Sequence, residues 1–151
     1  MGPVTLVLVI LIAHFVGDFI LQSDWMAVNK SKRWDALATH VFTYACVLNV
    51  AVQVGSWRFW WTDAMAAFVL VNSAAHFVQD AITSRINARL WFIDGVSVKN
   101  GMWSRPIVES KGADAYEVAF NDKRHWFFVG IGADQLLHYV TLFITAGWWL
   151  R

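Results

Sequence analysis

AHFVGDFI at residues 13–20 and AHFVQDAI at residues 75–82 decide how this chain is read. Each lies in an apolar stretch of membrane-spanning type. Each carries a His and an Asp four residues apart, His14 with Asp18 and His76 with Asp80. Ionisable groups in lipid cost a few kcal/mol each on insertion scales, so inside a span they point to function by default. A cost met twice in one frame directs attention to metal binding or proton chemistry within a helical bundle.

Composition supports the membrane reading. The chain has 151 residues, 58% of them hydrophobic and only 15% charged, with a mean hydropathy of +0.45. A soluble domain of this length carries about 25% charged residues. Ten Trp are present, a residue that collects where lipid meets water because its ring is apolar and its N–H is polar. Cys46 is the sole cysteine, which excludes a disulfide framework. A net charge of +1 offers no basis for nucleic-acid binding, and none is expected. The first apolar run has no basic flank before it and no small-residue cleavage site after it, so it is expected to stay as a helix.

Crossing a bilayer takes roughly 20 apolar residues. Four stretches qualify, at about 4–22, 34–54, 62–86 and 126–150, leaving one long connection at 87–124. The expected fold is all-α: a polytopic membrane protein, a single domain over 1–151, with four transmembrane helices forming two similar hairpins. The connection at 87–124 contains Gly95, Gly101, Pro106 and Gly112 as breakers, and its aromatic residues suggest that it lies along the membrane surface. Ten of the 12 Lys and Arg follow the first or third span, and only Arg58 and Arg151 lie on the other side. The positive-inside rule then puts both termini outside the cytoplasm, and the expected location is a bacterial inner membrane.

Polar groups within the spans form a constellation. His14 and Asp18 share a helix face, with Gln22 extending the stripe. Asn72, His76 and Asp80 repeat that spacing, and Asp134 and His138 carry it in reverse order, as an antiparallel helix would. His40 adds one imidazole from the second span. At about 1.5 Å per residue, all seven His and Asp lie roughly 6–18 Å from the cytoplasmic helix ends. Shared depth is not expected of scattered polar residues. Nitrogen and oxygen ligands of this kind suit a divalent metal, zinc first, with manganese or iron as alternatives. Seven ligands exceed one tetrahedral site, which leaves room for two metals. His125 stands beside Lys123 and Arg124 and reads as a solvated flank.

These residues resemble a family of small bacterial and phage integral membrane proteins grouped as a domain of unknown function. The pattern is AHxxGDFxLQ followed by D-W-M over residues 13–26, a lone His40, then HxxxD at His76 and Asp80, and DQxxH at Asp134, Gln135 and His138. The resemblance covers the four spans and their order but not 87–124. More remotely, the layout is similar to inner-membrane proteins regarded as metal-dependent hydrolases. Intramembrane ceramidases, which bind zinc through His and Asp from several spans, offer an analogy at the level of the site.

The leading expectation is a metal-dependent membrane hydrolase acting on an ester or phosphoester of a lipid-like substrate. Its metal ligands would come from His14, Asp18, His40, His76, Asp80, Asp134 and His138, with Asp18, Asp80 or Asp134 as ligand or general base. The lipid bilayer is the expected surrounding, and the sequence is compatible with a homo-oligomer. The rival is a non-enzymatic component, such as a transport or ion-conducting subunit or a phage or host accessory protein. In that case the His and Asp would form a structural hydrogen-bond network. No HExxH, GxSxG, Gly-rich phosphate loop or zinc-finger spacing occurs in the sequence.

Overall fold

The computed structural model describes residues 3–57, 62–93, 97–99, 102–104 and 114–149, with side chains described within 4–57, 62–90 and 126–148. Among the described residues the fold is helical apart from one short ribbon. Helix α1 (Pro3–Phe15) runs directly into a π turn (Val16–Ile20). Short α2 (Asp24–Asn29) precedes three long helices, α3 (Trp34–Ser56), α4 (Asp63–Ile93) and α5 (Asp114–Trp149). Between the last two, β1 (Ser97–Lys99) pairs antiparallel with β2 (Met102–Ser104), Val98 opposite Trp103.

Local chemistry sets several of these boundaries. The Ser23 hydroxyl accepts from Met26 N–H and caps α2, and Thr62 caps α4 through Met65 N–H. Asp35 accepts from Ala36 N–H in the first turn of α3, where a carboxylate also favours the positive end of the helix dipole. Trp57 ends α3 in the left-handed region at φ 55.

Two helices run past the expected spans. Helix α4 continues beyond residue 86 to Ile93, and α5 begins at Asp114, well before residue 126. The connection expected at 87–124 is therefore largely helical at both ends. Segments 87–93 and 114–125 contain no Gly or Pro, so the helices outlast the apolar pattern that marked the spans. The expected surface position of its aromatic side chains falls outside the described residues.

Helix α1 packs on α3, α3 on α4 and α4 on α5, and α5 returns to α1. Successive long helices are antiparallel: Gly55 late in α3 meets Leu6 and Val9 early in α1, while Thr145 late in α5 meets Asn72 in α4. The two AHFV helices, α1 and α4, face each other diagonally, with the His14 and His76 rings 5.9 Å apart. At one end of the bundle Ile10, Leu48, Val52, Met65, Phe68 and Leu142 form an apolar core. The other end holds the His and Asp residues.

Three helical segments are long and apolar enough to cross a membrane: Trp34–Ser56, Asp63–Leu90 and Trp126–Trp148. Val4–Ile20 is apolar but shorter. The outer faces suit lipid. Val4, Leu8, Ile12 and Phe15, one helical turn apart, are all exposed on α1, and α5 exposes Phe128, Leu136, Val140 and Phe143. So much contiguous apolar surface is unusual on a protein surrounded by water.

Candidate metal centre

The site begins at the π turn. Leu21 N–H donates to Val16 C=O at 2.9 Å, five residues back, and such turns recur at functional sites. Within it, Gly17 lets α1 approach α3 closely: a Cβ there would lie 3.2 Å from Tyr44 Cδ2 and 3.3 Å from its Cα. That approach sets Asp18 against His40. The Tyr44 ring in turn stacks on His76, with centroids 4.0 Å apart and planes 5° from parallel, fixing the imidazole.

Four side chains from three helices then converge. His40 Nε2 lies 3.0 Å from Asp18 Oδ1 and 3.2 Å from Asp80 Oδ2. His76 Nε2 lies 3.6 and 3.7 Å from the same two oxygens and 3.1 Å from His40 Nε2. A tetrahedral zinc with bonds of about 2.0–2.1 Å has ligand atoms about 3.3–3.4 Å apart. The five separations fall on either side of that value. Two facing Nε2 atoms share at most one proton between them, so at least one presents a lone pair. All four residues are at most 3% exposed. Buried carboxylates require cations or donors, and this group could hold a metal ion.

A second group, Asp80, Asp134 and His138, could also hold one, and it shares Asp80 with the first. His138 Nδ1 donates to Asp134 C=O at 2.8 Å. The Asp134 carboxylate accepts from the Thr83 hydroxyl at 2.6 Å and from Gln135 Nε2 at 3.3 Å. His14 is brought into the cluster but belongs to neither group. Its Nε2 pairs with Gln135 Oε1 at 3.1 Å, and Gln135 Nε2 donates to Asp18 Oδ2 at 2.8 Å. His14 therefore acts on Asp18 through an amide, leaving Asp18 Oδ1 free to face the two imidazoles.

Lys30, at the end of α2, is the main residue that the sequence reading missed. Its ammonium donates to Asp80 Oδ2 at 2.9 Å and lies 3.9 Å from Asp18 Oδ1. The pattern DWMAVNK at residues 24–30 carries it, but nothing in that spacing reveals that α2 folds back over the cluster. Gln135 was visible within DQxxH as a motif residue without a role. Asn72, read as part of the same stripe, turns away: it donates to Phe68 C=O and accepts from Thr145.

A cavity of about 240 Å³ reaches the cluster. Asp18, Asp80 and Asp134 line it, with Lys30 and Lys32 along one part and Phe19, Phe127 and Ile131 along another. Gln22 Oε1 and Ser84 Oγ, both buried and without a hydrogen-bond partner among the described residues, also belong to its wall.

Comparison with known families matches residues 6–150 to a protein family of unknown function, DUF3307. The chain belongs to that family. No curated protein and no solved structure matches it. The match takes in most of α1 and all of α3, α4 and α5, and with them every residue of the cluster in this DUF3307 chain. The family description supplies no reaction, so chemistry has to be argued from the cluster itself.

Proposed function

We propose that this DUF3307 chain is a metal-dependent hydrolase of the bacterial inner membrane, acting on the ester or phosphoester of a lipid-like substrate. The carrying observation is the Asp18–His40–His76–Asp80 quartet, whose atom separations suit a tetrahedral ion. Two nitrogens and two oxygens favour zinc, with manganese or iron as alternatives.

The topology proposed is four spans in two hairpins with both termini outside the cytoplasm. Pro3–Phe15 and the π turn together cover about 27 Å at roughly 1.5 Å per residue, close to a hydrocarbon core of about 30 Å. The basic residues Lys30, Lys32 and Arg33 then fall at the cytoplasmic end, the end at which the cavity approaches the cluster.

A divalent ion would supply Lewis acidity and a water nucleophile at neutral pH. The surrounding residues have separate tasks. Asp134, oriented by Thr83 and Gln135, stands on the cavity wall as ligand or general base. Lys30 and Lys32 receive an anionic head group, while Phe19, Phe127 and Ile131 meet the apolar part next to it.

One observation favours a rival. The Lys30–Asp80 ion pair at 2.9 Å supplies a cation from the protein itself, as a structural network in a transport subunit or accessory protein would. Assays of purified protein in bicelles against fluorogenic ester, phosphodiester and phosphomonoester lipids separate the two. The enzyme reading expects turnover that a chelator abolishes, added metal restores, and His76→Ala lacks. Metal-loaded protein that is inert on all three substrate classes would leave the non-enzymatic reading as the better one.

A further inference from the structure

We propose that the cluster holds two divalent ions side by side, bridged by the carboxylate of Asp80. This rests on the metal reading above and extends it to a second site with its own ligands.

The two oxygens of Asp80 face different surroundings. Oδ2 meets Lys30 at 2.9 Å and His40 at 3.2 Å. Oδ1 points towards α5, 3.7 Å from His138 Nε2, and has no hydrogen-bond partner among the described residues. His138 Nε2 has none either. Because His138 Nδ1 donates to Asp134 C=O, the neutral ring has no proton on Nε2, which then presents a lone pair. Asp80 is 1% and His138 2% exposed, so bulk water does not compensate these two atoms. Two buried acceptors thus face each other with nothing to accept.

A proton between them would draw the pair to about 2.7–2.9 Å, the span of a charge-assisted hydrogen bond. The observed 3.7 Å is too wide for that. It suits an ion bonded to each atom at about 2.0–2.2 Å. Asp134 contributes the third ligand from the same face of α5, its carboxylate steadied by Thr83. The other site uses Asp18, His40 and His76 with Asp80 Oδ2. Sharing one carboxylate makes the ions neighbours, as in centres where two metals about 3.5–4 Å apart clamp a reacting phosphoryl group.

Charge selects the substrate class. Two divalent ions with Lys30 exceed the carboxylates of Asp18, Asp80 and Asp134 by two positive charges, which matches a phosphate monoester dianion better than a neutral ester. The three carboxylates all border the cavity, so both ions would be reached from one side.

The test uses the full chain, purified without a His tag, stripped with chelator and titrated with Mn²⁺. Elemental analysis and electron paramagnetic resonance then report stoichiometry and coupling. Wild type is expected to bind two Mn²⁺ per chain with an exchange-coupled spectrum. His138→Ala should keep one, with the spectrum of an isolated ion, and that retained ion also shows that the variant is folded. Wild type saturating at one uncoupled Mn²⁺, unchanged in His138→Ala, would overturn the second site and leave the first intact. Wild type that binds no Mn²⁺ would overturn both.

Discussion

The two ends of the bundle are buried alike and held together by opposite means. Phe68 and His40 are both 0% exposed. Phe68 shares its core with Leu48, Val52 and Met65, which need only shape to fit. Around His40 stand Asp18, Asp80 and His76, each with a charge or a proton that must be matched. Lipid is as apolar as these side chains, so the first end is held by close packing more than by expulsion of water. At the second end, packing could be had more cheaply with Leu. The polar end is therefore better explained by chemistry than by stability.

The largest expected effect breaks the apolar end alone. Phe68→Ala should lower unfolding stability by about 3–5 kcal/mol through the cavity it leaves, as read by denaturation in mixed micelles. Metal content per folded chain should stay at the wild-type level. Loss of metal in step with stability would show that the two ends are not separable.

Gln135→Ala sharpens the comparison from the polar side. It removes the amide linking His14 to Asp18, and loss of such an outer support costs about 10–100-fold in metal affinity. Competition with a chromophoric chelator measures this. Affinity unchanged within twofold would mean that Asp18 needs no orientation, and that Gln135 serves helix packing instead.

Gly17→Ala probes the place where the ends meet. The added methyl presses on both the side chain and the backbone of Tyr44, a cost of about 1–3 kcal/mol for overpacking. The Tyr44 ring lies on His76, so metal affinity should fall along with stability. A stability loss with unaltered affinity would place the strain wholly within the apolar layer.

Much of this was legible in the sequence because both periodicity and ionisability are local. Apolar runs marked α3, α4 and α5, and common depth grouped His40, His76, Asp80 and Asp134 before any contact was known. What escaped depends on chain geometry. The π turn at Val16–Ile20 has no pattern beyond Gly17 within it. Lys30 arrives through the path of α2, and its contact with Asp80 spans 50 residues. The equal spacing in His14–Asp18 and His76–Asp80 suggested equal roles, yet of the two imidazoles only His76 joins a ligand group, while His14 Nε2 pairs with Gln135. Helix ends lie beyond the spans where polar residues continue a helix past its apolar part.

The central claim is that the polar end is a metal centre, and elemental analysis of protein purified without a His tag or added metal tests it most directly. The account predicts at least one divalent metal per wild-type chain, lost in His76→Ala and retained in His125→Ala. Equal metal in the two variants, or metal-free wild type from metal-replete cells, would contradict it and leave a hydrogen-bonded Asp–His network closed by Lys30.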